Sequence, residues 1–137
     1  MKLKLYVINQ IAGILAGVKI NRMEDKAAKS ALMQDYLDLR KVLKPAQEDK
    51  DEIVRKFQED WKEEFFIVER LINANQPVIG HEGYIKAKSD AERAIQDLFG
   101  KEVEVALTAV PFDALDRVCD DITLEQVAFL QDNGIVL

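Results

Sequence analysis

Apolar residues recur every three or four positions through most of residues 24–75. This period is that of an amphipathic α-helix with one apolar stripe and a charged opposite face. Pro45 removes one helical hydrogen bond and disfavours helix in the residue before it, yet the stripe passes it in phase. The pattern therefore predicts one long kinked helix or two nearly collinear helices. The stripe consists of Leu32, Tyr36, Leu39, Leu43 and Ala46, then Ile53, Phe57, Trp61, Phe65, Val68 and Ile72.

The residues before this helix change their period. Lysine and leucine alternate over residues 2–5, which predicts a short strand. Leu5, Ile8, Ile11 and Leu15 follow helical spacing, so a helix is expected at 5–16. Residues 18–23 are expected to be an extended connector into the long helix.

The residues after the long helix contain most of the glycines and prolines. Residues 73–77 (NANQP) are predicted to end the long helix. Residues 77–80 and 84–87 are β-formers around the polar tip Gly80-His-Glu-Gly83, which predicts a β-hairpin. Ser89 with Glu92 resembles a capping box, so a helix is expected over 90–99.

Three elements are predicted in the last third. Residues 102–105 alternate glutamate and valine, and residues 102–107 are expected to form a half-buried strand. We expect this strand to pair with residues 2–5, because lysines and glutamates then share the wet face. Pro111 opens a helical turn, and Thr123 with Gln126 caps a last helix.

These elements predict an α+β fold in one domain, residues 1–137. The long kinked helix is expected to pack with the N-terminal helix and the 90–99 helix. A small antiparallel sheet is expected at one end, built from residues 2–5, 77–80, 84–87 and 102–107.

The net charge of −6 is unevenly distributed. Residues 1–45 carry nine Lys or Arg against four Asp or Glu, whereas the rest of the chain is strongly acidic. A basic first third suggests a nucleic-acid-binding regulator as one alternative. The basic residues are spread around the helix rather than clustered with aromatics, which favours a solvated face instead.

Recognisable chemistry is scarce. His81 and the single cysteine, Cys119, do not supply the three or four ligands of a zinc site. Cys119 precedes Asp120, and a neighbouring carboxylate opposes thiolate formation. The acidic cluster Asp113, Asp116, Asp120 and Asp121 lacks the spacing of a calcium-binding loop. We therefore predict no catalytic residue, metal or cofactor, with a small enzyme using acids of 113–121 as an alternative.

The same composition indicates where the protein works. One cysteine allows no internal disulfide, which is typical of a reducing intracellular setting, so a cytoplasmic location is expected. No apolar run approaches the roughly 20 residues of a membrane span.

Four aromatic residues on the long helix form the candidate interface: Phe57, Trp61, Phe65 and Phe66. Phe65 and Phe66 are adjacent, so they cannot both face one stripe, and one of them is left for a surface. The remaining elements are short. We therefore expect a homodimer with the long helix in the interface.

The order of the elements and two parts of the chain form a recognisable pattern. The first part is the start, Leu3-Lys-Leu5 with residues 7–12 (VINQIA) and 18–20 (VKI), which leads into the long charged helix. The second is residues 91–105 (AERAIQDLFGKEVEV), followed by residues 122–130 (ITLEQVAFL). This pattern resembles a family of small uncharacterised proteins encoded by bacteriophages and prophages. The resemblance implies a non-enzymatic accessory or assembly protein in a bacterial host cell, acting through contacts with itself or other phage proteins. It implies no catalytic residues.

Overall fold

The computed structural model describes residues 1–137 and is mostly helical, with one small antiparallel sheet. The chain divides into two compact units: unit 1 contains Met1–Lys44 and Lys101–Leu137, and unit 2 contains Pro45–Gly100. The elements in chain order are β1 (Lys2–Lys4), α1 (Leu5–Leu15), a 3₁₀ turn (Ile20–Arg22), α2 (Lys26–Asp60), α3 (Lys62–Asn73), α4 (Glu82–Phe99), β2 (Glu102–Glu104), α5 (Phe112–Asp116) and α6 (Leu124–Asp132).

The sheet of unit 1 has the pairing expected from the alternation of charges. Strands β1 and β2 are antiparallel, with Lys2 opposite Glu104 and Lys4 opposite Glu102. The amino terminus extends the contact, because its NH₃⁺ group lies 2.7 Å from Glu104 Oε1. The predicted pairing of the chain's start with its last third is confirmed.

The helices of unit 1 enclose its core. Helix α1 buries Leu5, Ile8, Ile11 and Leu15, the stripe predicted for it. Helix α6 carries the predicted capping box: Thr123 Oγ1 accepts from the Gln126 backbone, and the Gln126 side chain accepts from the Thr123 backbone. Core residues from the last third include Val110, Leu115, Val118, Leu130 and Ile135.

The long helix α2 begins near the start of the periodic stretch, as predicted, but the break in it lies at a different residue from the predicted one. Asp25 Oδ1 accepts hydrogen bonds from the backbone of Ala27 and Ala28, which caps the first turn. The helix then runs without interruption past Pro45 to Asp60. The interruption lies at Trp61, whose φ of −123° and ψ of 28° are not helical.

Helix α3 ends in a Schellman motif within residues 73–77, the segment predicted to end the long helix. Asn75 has a left-handed φ of 55°. The Gln76 N–H donates to the Leu71 carbonyl, and the Asn75 N–H donates to the Ile72 carbonyl. Asparagine tolerates this conformation better than most residues, so it accounts for the helix end.

The predicted β-hairpin is wrong. Residues 84–87 lie inside α4, and residues 77–80 form no strand. Ser89 is an interior residue of α4 rather than a cap, so the capping box predicted for Ser89 and Glu92 is also wrong. Helical spacing of Tyr84, Ala91 and Ile95 overrides the local β-propensity, because only a helix presents these side chains on one face.

Candidate interaction surfaces

Tyr84 is the centre of an aromatic cluster in unit 2. Its side chain is fully buried. Its ring centroid lies 5.3 Å from that of Phe57 and 6.1 Å from that of Trp61, the latter edge-on. Gly83 allows the close approach, because a Cβ there would lie 3.2 Å from Trp61 Cη2. Two of the four candidate interface residues, Phe57 and Trp61, therefore pack within the unit and are half-buried.

A polar network surrounds the Tyr84 hydroxyl. The hydroxyl donates to Glu69 Oε1 at 2.9 Å, and Lys88 Nζ lies 2.7 Å from the same oxygen. Burial, with Glu69 nearby, raises the pKa of Tyr84 to about 12. Hydrogen bonds from Lys88 and Tyr84 lower the pKa of Glu69. This network joins α3 to α4.

His81 lies at the start of α4, not at a hairpin tip. Its Nδ1 is 3.1 Å from Glu64 Oε2, in a second polar contact between α3 and α4. No further His, Cys, Asp or Glu gathers there into a metal-binding group.

The other two candidate residues form a surface on α3. The Phe66 side chain is 66% exposed, and its ring packs edge-on against Phe65 at 5.4 Å. Both rings line an open groove of about 390 Å³ with Arg55, Gln58, Glu59 and Lys62. We call this the α3 surface. Phe66 lies two residues before the buried Val68, which places the two side chains about 200° apart around the helix. Phe66 therefore faces away from the interior of unit 2.

A second apolar surface, in unit 1, was not predicted. It is a cleft of about 240 Å³ between the end of α1 and the first half of α2. We call it the α1–α2 cleft. Met33 and Leu37 in this cleft are about half exposed. In the sequence they can be recognised as apolar residues that directly follow members of the buried stripe. The lining consists of Leu15, Ala16, Val18 and Ile20 on one side and Leu32, Met33, Tyr36 and Leu37 on the other.

Basic residues of α2 lie next to the α1–α2 cleft. The guanidinium of Arg40 lies 5.8 Å from the centre of the Tyr36 ring, a cation–π distance. On the same helix, Lys29 lies one turn before Leu32 and Met33, and Lys41 lies one turn after Leu37. No carboxylate is among the lining residues.

The acidic cluster of residues 113–121 is divided between two clefts. Asp120 and Asp121 line a cleft of about 350 Å³ with Lys19 and Cys119. Asp113 lines a different one. Asp120 is in an ion pair with Arg22 at 2.9 Å. Burial, followed by the Asp120 charge, raises the pKa of the Cys119 thiol, which disfavours a nucleophilic thiolate.

Asp35 is a buried carboxylate that the helical pattern conceals. It lies between Leu32 and Leu39 on the core face of α2 and is 2% exposed. Its Oδ1 accepts from the Thr108 backbone N–H at 2.9 Å, whereas Oδ2 is buried without a hydrogen-bond partner. Burial raises the pKa of Asp35, and Asp38 adds to the effect.

No protein-family model, no curated protein and no solved structure matches this chain. None of its helices combines the length and the apolar character that crossing a membrane requires.

Proposed function

We propose that this protein is a non-enzymatic accessory or assembly protein that acts through protein–protein contacts, including contact with a second copy of itself. The observation that carries the proposal is the α3 surface. A partner that covers this exposed phenylalanine ring gains binding free energy, since burying such a side chain contributes about 1.5–3 kcal/mol. Aromatic residues are also enriched at protein interfaces.

The phage or prophage setting is supported by the sequence resemblance alone. Genomic neighbourhood tests it directly. We expect tail, portal or capsid genes beside the gene for this chain, and a neighbourhood of unrelated metabolic genes would contradict the setting while leaving the contact proposal in place.

Self-contact through the α3 surface is tested by light scattering at increasing protein concentration. We expect the wild-type mass to exceed the 15.6 kDa of one chain and to rise with concentration. Phe66→Ser should return the mass to one chain. Ile79→Ser is the matched control, because Ile79 is also exposed in unit 2 but lies outside the α3 surface. A wild-type mass of one chain that is unchanged by tenfold concentration contradicts self-contact.

Catalysis is the second candidate because Asp120 and Asp121 line one cleft. Two observations weigh against it: the ion pair of Asp120 with Arg22, and the raised pKa of the Cys119 thiol. An ion-paired carboxylate is a poorer proton acceptor and a protonated thiol a poorer nucleophile, so neither Asp120 nor Cys119 favours catalysis in this cleft.

A further inference from the structure

We propose that the α1–α2 cleft binds an acidic amphipathic helix of a partner protein. The inference goes beyond the α3 surface, because it concerns the other unit and a partner that differs from this chain. It rests on the shape of the cleft, its apolar floor and the sign of the charges around it.

The cleft has the size of a side-chain socket. Its volume of about 240 Å³ is below the roughly 300–1,000 Å³ that is typical of small-molecule sites. Met33 and Leu37 give it an apolar floor that is half exposed in the isolated chain. An amphipathic helix fills such a groove with apolar residues one turn apart, which is a recurring mode of peptide recognition.

The charges around the cleft select an acidic helix. Lys29, Arg40 and Lys41 of α2 lie within one helical turn of its lining residues, and none of them takes part in an ion pair in the chain. A single exposed ion pair contributes only about 0.2–1 kcal/mol. Several together determine which partner is attracted and its orientation.

The same features disfavour other anionic partners. A nucleic-acid backbone neutralises basic side chains but leaves Met33 and Leu37 uncovered. A membrane surface favours apolar side chains that protrude, whereas these line a concavity. An acidic helix satisfies both the charges and the apolar floor.

The test is a binding titration with labelled synthetic peptides and the whole protein. The probe is a helical peptide with leucines at i, i+4 and i+7 on one face and glutamates on the flanks. Its controls are a scrambled glutamate peptide and the same helix with lysine in place of glutamate. We expect the acidic helix to bind at least about tenfold more tightly than either control.

Variants then locate the binding. Leu37→Glu should abolish binding of the acidic helix, and Met33→Glu provides a second variant if the first fails to fold. Arg40→Glu should weaken binding and reduce its salt dependence. Ile79→Glu, a matched substitution in unit 2, should leave the affinity unchanged.

Two results with the peptides overturn the proposal: no saturable binding of the acidic helix, or equal binding of the lysine helix. It is also overturned if Leu37→Glu leaves binding of the acidic helix intact. Leu37-dependent binding of duplex DNA or anionic vesicles instead of the acidic helix overturns it as well. A change in the mass of the protein alone caused by Leu37→Glu would assign the cleft to a second copy. Phe66→Ser alters only self-contact through α3, so failure of this proposal and failure of the proposed function are distinguishable.

Discussion

The two units of this protein bury different numbers of large apolar side chains. Unit 1 buries large side chains from distant parts of the chain, among them Ile8, Ile11, Leu39, Leu130 and Ile135. In unit 2 the large side chains that are fully buried are Val68 and Tyr84. Both units also leave large apolar side chains exposed, which in unit 2 are Phe66, Ile67, Ile72, Ile79 and Ile85.

This difference follows from connectivity. Unit 1 joins segments far apart in sequence, so its helices and sheet enclose a core from several sides. Unit 2 is one continuous stretch of helical segments, which have few neighbours to cover their outer faces. Regions with few buried apolar contacts open at low free energy and often contain binding surfaces. Unit 2 should therefore depend on very few residues for its stability.

The sharpest test of this contrast is Tyr84→Ala. Removing a large buried aromatic side chain costs about 3–5 kcal/mol. Because Tyr84 contacts Phe57, Trp61 and Glu69, we expect unit 2 to lose its tertiary structure. Hydrogen exchange should accelerate across residues 45–100, while residues 1–44 and 101–137 keep their protection.

Leu130→Ala is the counterpart in unit 1. It should cost about 2–5 kcal/mol. Unit 1 should nevertheless keep a cooperative transition, because many other buried side chains remain around the cavity. Loss of protection throughout the chain in Tyr84→Ala would contradict the separation of the two units.

Trp61→Ala should have a smaller effect. The sequence alone predicts a loss of about 3–5 kcal/mol if Trp61 is fully internal. The structure has Trp61 half-buried, so we expect about 1.5–3 kcal/mol in a urea melt. Phe66→Ala is the matched aromatic control and should change the stability of a single chain by less than about 0.5 kcal/mol. Equal losses for the two substitutions would mean that both rings are interior, contrary to the exposure of Phe66.

Much of unit 1 could be predicted from sequence because its local signals agree with its tertiary structure. The alternation of lysine and glutamate predicts the pairing of residues 2–5 with residues 102–107, and in the observed register both lysines lie opposite a glutamate. Thr123 with Gln126 marks the start of α6 in the same way.

The mistaken hairpin shows where such reasoning fails. Gly80 and Gly83 suggest a turn, but Gly83 lies in α4, where a Cβ would approach Trp61 Cη2 to 3.2 Å. That close approach involves a residue far away in sequence, so no local pattern contains it. The α1–α2 cleft and Asp35 were missed for a related reason: helical spacing identifies the buried face but not the gaps or polar atoms within it.

Acidification should affect the two units in opposite directions. The pKa of Glu69 is lowered in the folded state, so its contribution to unit 2 is present at neutral pH and is lost as pH falls below the usual glutamate range. The pKa of Asp35 is raised, so its charged form destabilises unit 1 at neutral pH. That cost is relieved as pH falls through the folded-state pKa toward the unfolded value.

Urea melts of Glu69→Gln and Asp35→Asn between neutral pH and pH about 3 separate these effects, because aspartate and glutamate in unfolded chains titrate near about 3.9 and 4.3. The stability lost in Glu69→Gln should shrink on acidification. The stability of wild type relative to Asp35→Asn should rise, since only wild type gains from protonating the buried carboxyl group. A wild-type advantage over Asp35→Asn that stays constant with pH would mean that Asp35 titrates as it does in the unfolded chain. The expectation that the charge of the buried Asp35 destabilises unit 1 at neutral pH would then be wrong.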